Sequence, residues 1–211
     1  MLAFQAMGRG AREAAKRART EVYRAHVLEA AVAVFAERGF EATKMQDIAQ
    51  RADLSLGTIY SVFPGKQELY EAILAEHGQA LLALVGELHE RRAPAGETLD
   101  ALIAVYVDYF IGHPDFLRMH LRSGASWALG PVLGTEQQRG FWQQIHALQA
   151  DIFRRGVAER AFVDEDPDYL AKLFSVMDQV LLADWVARGM RDDRERLVAR
   201  LCAQVRRSFW R

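Results

Sequence analysis

The chain has a single cysteine, Cys202, only five prolines and no asparagine among its 211 residues. One thiol excludes an internal disulfide and a thiolate metal cluster. With so few prolines, and no asparagine for the left-handed positions of hairpin turns, a β fold has little turn chemistry to draw on; an all-α chain is expected. No apolar run approaches the ~20 residues of a membrane span. The opening Met1-Leu2-Ala3-Phe4 is not followed by the apolar stretch of a leader, so a cytoplasmic protein with no membrane partner is expected. The six histidines (26, 77, 89, 113, 120 and 146) include no i, i+4 pair. HExxH, CxxC, a Ser/His/Asp set and a Gly-rich phosphate loop are also missing, and Gly8-Arg9-Gly10 is too slight to serve as one. The expectation is no catalytic residue, no metal and no cofactor: not an enzyme.

What is present is a large apolar fraction, 51%, beside 26% charged residues, enough for a sizeable core. The net charge of −1 is unevenly spread. Residues 1–66 hold ten Lys/Arg against seven Asp/Glu, a net +3, which leaves −4 for the remainder. That sign suits a nucleic-acid-facing end followed by an acidic body.

Residues 1–21 are small, basic and weakly periodic, and Gly8 and Gly10 oppose a helix; a mobile basic arm (Arg9, Arg12, Lys16, Arg17, Arg19) is expected. From about Val22 the period becomes helical, with Val27, Ala30, Ala31, Val34 and Phe35 on one stripe, and Gly39 ends the helix. Thr43 is expected to cap a second helix, with Gln46 completing a capping box. Its stripe is Met45, Ile48, Ala49 and Ala52. Asp53-Leu54 turns the chain, Ser55 caps a short third helix to about Val62, and Pro64-Gly65 stops it. A long fourth helix is expected over 66–91, then helices over 97–111, 114–125, 135–159, 167–188 and 193–209, with a break over 129–134. The boundaries expected are an arm over 1–21, a helical reading domain over 22–66 and a second helical domain over 67–211.

Two short helices joined by a tight turn and stapled by a third meet the requirements of a helix-turn-helix. Residues 31–69 resemble the N-terminal domain of the TetR family of regulators. Phe35-Ala36-Glu37-Arg38-Gly39-Phe40, Thr43, Asp47-Ile48-Ala49, Ala52, Leu54-Ser55, Gly57-Thr58-Ile59-Tyr60, Phe63 and Lys66 carry the likeness. Two positions depart from it: Asp53 stands where the turn usually has glycine, and Leu56 where a polar residue is frequent.

The resemblance implies a dimeric regulator that binds double-stranded DNA, with Lys44 and Gln46 at the start of the second helix, Thr43 before them, and Ser55, Leu56, Gly57, Thr58, Tyr60 and Ser61 on the recognition helix. Lys66, beside the N–H groups opening the fourth helix, is expected to hold a phosphate. Gly57 allows either close helix packing or close approach to DNA, and Tyr60 is either a core ring or an exposed hydroxyl.

Around the fifth helix the second domain supplies Phe116, Met119, Trp127, Phe141, Trp142, Phe153, Phe174 and Met177. Polar groups also stand within its apolar helices: Asp108, His120, His146 and Asp178. With the resemblance, these imply a mostly apolar small-molecule effector bound by Tyr106, Phe110, Met119, His120, Trp127, Trp142, Phe174, Met177 and Asp178; a solid aromatic core is the competing reading. Apolar stripes at Tyr169, Leu173, Val176, Val180, Ala183 and Ala187, and at Val198, Leu201, Val205 and Phe209, are expected to pair with a second copy as a four-helix bundle. A repressor released by its effector is implied, the alternative being an activator or a regulator without a small-molecule ligand.

Overall fold

A computed structural model describes residues 2–129 and 135–211, with side chains from residue 17 onward apart from that break. The side chains of Arg9, Arg12 and Lys16 of the expected arm, and the turn at 130–134, lie outside what is described. Among the described residues there are nine helices and no strand. The chain divides into two compact units, Met1–Ile73 and Leu74–Arg211.

The first unit holds α1 (Leu2–Arg38), α2 (Met45–Arg51), α3 (Leu56–Val62) and the opening of α4 (Lys66–Glu90). Helix α1 begins twenty residues before the expected start. The run before Val22 has no proline and six alanines among strong helix formers, so the cost of Gly8 and Gly10, about 1 kcal/mol each, is offset. Gly39 ends α1 with φ +80, its N–H bonded to the Phe35 carbonyl at 2.8 Å. Val27, Ala31, Val34 and Phe35 of α1 pack with Met45, Ile48 and Ala49 of α2, Ile59 of α3 and Leu69 and Ile73 of α4, all buried. Burying each large side chain contributes roughly 2 kcal/mol. Asp53 carries the α2–α3 turn at φ 51, a conformation Asp tolerates better than most residues.

The second unit holds residues 74–90 of α4, then α5 (Ala95–Gly112), α6 (Pro114–Arg122), α7 (Glu136–Ala158), α8 (Pro167–Ala187) and α9 (Arg194–Phe209). The helix starts have named causes. Thr135 and Gln138 form a reciprocal capping box on α7, and Asp166 and Asp193 accept from the N–H groups of Tyr169 and Arg196. Helix α7 packs on α8, and α5 packs on both α7 and α9. Buried all along α5, Leu99, Leu102, Ile103 and Val107 form the centre of the core. After α7 the chain turns through Arg160 at φ 59 and lays the Phe162 ring against Gly156, where a Cβ would stand 2.0 Å from Phe162 Cδ2. Phe162 then bridges Trp210, with Val163 N–H on the Phe209 carbonyl and Arg211 N–H on the Ala161 carbonyl.

One expected stripe is corrected. Leu201, Val205 and Phe209 of α9 are buried within this chain's own core, with Leu197 beside them. Periodicity marks a face that is covered, not the chain that covers it. The α8 stripe behaves otherwise: Tyr169, Val176 and Val180 are exposed by 51, 40 and 62%. Trp185 is buried, its Nε1–H donating to the Asp192 carbonyl, and Trp210 packs edge-on against Phe162; both serve the core.

Candidate nucleic-acid interface and effector site

The start of α3 is built by Ser55, whose Oγ accepts from Thr58 N–H at 3.1 Å and lies 2.8 Å from Thr58 Oγ1. This fixes the helix start and uses the Thr58 hydroxyl. Ser61 Oγ donates to the Thr58 carbonyl. Leu56, the first residue of α3, is half-buried, while Gly57, Tyr60 and Ser61 are exposed. Tyr60 at 48% is a surface ring rather than a core one. At Gly57 an added Cβ would meet nothing nearer than Ser55 Oγ at 3.9 Å. Packing within the unit therefore does not require glycine there. Lys44 and Gln46 stand exposed at the start of α2.

Two expected contacts are placed differently. Thr43 is buried and its hydroxyl donates to the Gly39 carbonyl at 2.7 Å, so it closes the α1–α2 connection instead of capping α2. The residue before α2 is Lys44, whose N–H is taken by Asp47 Oδ2 at 2.9 Å; Gln46 has no part in the cap. Lys66 points its Nζ at the Phe40 carbonyl, 2.7 Å, and the Glu41 carbonyl, 3.3 Å, over the Phe40 ring. Most of its donor capacity thus ties the α1–α2 connection to α4. His26, which sequence reasoning did not single out, lies 2.8 Å from the Ala52 carbonyl at the end of α2. Arg24 covers the Phe63 ring. A polar residue bordering an apolar stripe was the available signal for both.

In the second unit, most of the residues expected around an effector are gathered. Tyr106 and Phe110 lie one turn apart on α5, and Phe174 and Asp178 one turn apart on α8. The Tyr106 and Phe174 rings are 6.2 Å apart, and Trp127 stacks on Phe110 at 5.1 Å with His120 beside it at 5.6 Å. Trp142 Nε1–H donates to the Trp127 carbonyl, and Gln179 holds the Trp127 N–H and the Ala125 carbonyl. Met119 is buried on α6, and Met177 is half-buried a turn from Phe174.

Asp108 separates from this group and pairs with Arg194 at the surface, whereas His146 borders it, stacking on Trp142 and pairing with Asp168. Gln149 was missed: its Nε2 donates to the Tyr106 hydroxyl at 2.8 Å and its Oε1 accepts from Ser175. Its place between Ile145 and Ile152 in a buried stripe was the clue.

Burial pushes the Asp178 carboxyl up to about 8 and the His120 ring down to about 4, so near neutral pH both are uncharged. Trp127 Nε1, His120 Nδ1 and Asp178 Oδ1 are buried without a partner among the described residues. A cleft of about 850 Å³ opens elsewhere on this unit, between His89, Arg92, Asp151 and Arg155, and shares no residue with the group.

The family model described as bacterial regulatory proteins, tetR family, matches residues 27–73, ending at the residue where the first unit ends. Residues 27–73 are thus similar to the DNA-binding domain of the TetR family. The transcriptional activator FasR of Mycolicibacterium smegmatis is 36% identical over 90 residues, 43% of this chain and 41% of FasR. The chain thus spans less than half the length of that relative. The repressor KstR2 of Mycobacterium tuberculosis is 27% identical over 139 residues, 66% of this chain and 68% of KstR2. The solved structure of KstR2, a ketosteroid transcriptional regulator, matches 89% of this chain and 95% of its own at TM-score 0.75 and 22% identity. FadR of Bacillus subtilis, solved with stearoyl-CoA, matches 85 and 96% at TM-score 0.67 and 18% identity. The two structures share this chain's fold across both units.

Proposed function

We propose that this chain is a TetR-type transcriptional repressor that binds a palindromic operator as a homodimer and leaves it when a mostly apolar effector binds the second unit. Helix α3 enters the major groove with Leu56, Thr58, Tyr60 and Ser61 toward the DNA, while Lys44 and Gln46 approach the backbone. Gly57 carries the reading: an exposed helical glycine that the unit's own packing does not need leaves room for a close-lying surface. The exposed stripe of α8 is the surface for the second copy. For the effector, support comes from the unpartnered polar atoms inside the aromatic group, and from a structural neighbour, FadR, solved with stearoyl-CoA.

Selection of bound duplexes from a random pool tests the first part. A two-fold-symmetric sequence is expected to emerge, and Gly57→Ala is expected to bind it at least about tenfold more weakly, near 1.4 kcal/mol, while melting no lower than the parent. A pool that yields no sequence, or a Gly57→Ala protein with undiminished affinity, overturns the assignment.

A further inference from the structure

The positive charge of the reading unit is confined to the first half of α1. Residues 25–73 hold four Lys/Arg against seven Asp/Glu, a net of −3, whereas residues 1–24 hold six against two, a net of +4. Three of the four cations in the longer stretch are occupied. Arg38 pairs with Asp47, Arg51 pairs with Glu37, and Lys66 donates to the Phe40 and Glu41 carbonyls, which leaves Lys44. A duplex carries one negative charge per ~1.7 Å of its axis, and sequence-independent affinity comes from neutralising those phosphates. A body of net charge −3 opposes that approach, so the attraction must come from the start of α1.

Residues 17–26 include no buried residue; the first buried side chain of the described helix is Val27. Arg17 and Arg19 are exposed and Arg24 is half-buried. The ion pairs of the described first unit are the two named above, so none of these three is matched to an acid, not even to Glu21, the one acid in the stretch. Arg19 lies over the Tyr23 ring, and Arg24 lies 4.4 Å from the centre of the Phe63 ring. Stacking uses the face of a guanidinium and leaves its in-plane N–H donors available. Arg17 and Arg24, two turns apart, share one face of α1. Phe63 is the residue that closes the C-terminal end of α3, so this face runs out past the end of the recognition helix. We propose that the first half of α1 is a second DNA-contacting element, in which Arg17, Arg19 and Arg24 bind phosphates of the duplex whose bases α3 reads. It supplies most of the unit's salt-dependent, sequence-independent affinity. This rests on the DNA-binding reading given above.

The test is a pair of double variants of the full chain, with Arg24 left in place because it covers Phe63. Arg17→Gln with Arg19→Gln removes two charges per subunit; Arg17→Lys with Arg19→Lys keeps them. Fluorescence anisotropy follows binding to the selected operator and to a scrambled duplex of equal length over a range of salt concentrations. The glutamine variant is expected to lose about tenfold or more on both duplexes at about 0.1 M salt. Its slope of log affinity against log salt should fall by about two for each subunit bound, with the melting temperature unchanged. The lysine variant is expected to stay within about threefold of the parent, because a phosphate is met by charge. Unchanged affinity and slope in the glutamine variant would make this stretch a solvated terminus and overturn the proposal. A loss confined to the operator, or one that lysine does not restore, would assign base contacts instead and overturn it equally. Gly57→Ala keeps the two readings apart. If it weakens operator binding while the glutamine variant does not, α3 reads DNA and the α1 assignment alone is wrong. If the parent binds neither duplex, the DNA-binding reading fails and this inference falls with it.

Discussion

The two units treat polar groups in opposite ways. In the first, the one buried polar side chain among the described residues, Thr43, is satisfied by the Gly39 carbonyl, and the remaining polar groups of interest stand at the surface or cap a helix. In the second, hydrogen-bonding atoms of Trp127, His120 and Asp178 are buried and left open. Exposed hydroxyls on a rigid short helix suit a large, polar, water-covered surface such as a DNA groove. Unmet polar atoms amid stacked rings suit a small molecule that brings its own partners. The glycines follow the same division: at Gly57 a Cβ would meet only Ser55 Oγ at 3.9 Å, whereas Gly156 is filled by the Phe162 ring.

That contrast breaks most visibly at Gly156. Gly156→Leu forces Phe162 from its seat and is expected to destabilise the second unit by about 3 kcal/mol or more, the severe end of overpacking. Hydrogen exchange should show lost protection in α7 to α9 with residues 27–73 little changed. Equal loss in both units would mean that they do not unfold separately.

The titrating groups of the second unit make a pH profile. His77 and His120 are held near 4, below the ordinary 6.5, by burial above all. Between those values the folded state binds fewer protons than the unfolded, so each adds stability as pH rises. Asp178, raised from 3.8 to about 8, does the reverse: the folded state keeps a proton that the unfolded state has lost. Two groups outweigh one up to pH 6.5, and Asp178 acts alone above it. The melting temperature is expected to peak near pH 6.5 and fall toward pH 8, and Asp178→Asn should flatten that fall. A decline that persists in the mutant would assign it to other groups.

Smaller effects belong to the first unit. Lys66→Ala removes two bonds to carbonyls and is expected to cost about 1–2 kcal/mol in urea denaturation. The salt dependence of DNA binding should change by less than one charge per subunit; a larger change would return Lys66 to the phosphate. Leu56 has neither donor nor acceptor, so in the proposed complex it is expected to discriminate bases by apolar contact with the thymine methyl. Replacing one symmetric thymine by uracil in each half of a selected operator is expected to cost about 1 kcal/mol per half-site. Uracil scanning that finds no sensitive position would reduce Leu56 to shielding the backbone.

Where a residue acts on its neighbours in the chain, the sequence was legible. Gly39, the Ser55 cap, Asp53 in the turn and the limits of α5 to α9 follow from local pattern, and the α8 stripe was read at the positions left exposed. What failed depended on partners distant in sequence. Lys66 reaches Phe40, 26 residues away, and no spacing rule announces that. The α9 stripe was assigned to a second copy because an apolar face looks the same whichever chain covers it. Thr43 and Lys44 differ by one position in a cap, within the usual uncertainty of helix ends. The effector group was named from composition and resemblance, yet Gln149, which ties α7 to Tyr106, looked like one polar residue among many.

The bridge between Phe162 and Trp210 also sets an order of events during synthesis. Chains emerge amino terminus first and tend to fold unit by unit as they do. The buried contacts of the reading unit are complete once residue 73 is available. The second unit must wait for Leu201, Val205 and Phe209 to cover α5, and for Arg211 N–H to reach the Ala161 carbonyl. Through that interval the face of α5 on which α9 packs remains open, and exposed apolar surface of that kind is where a nascent chain is prone to associate wrongly.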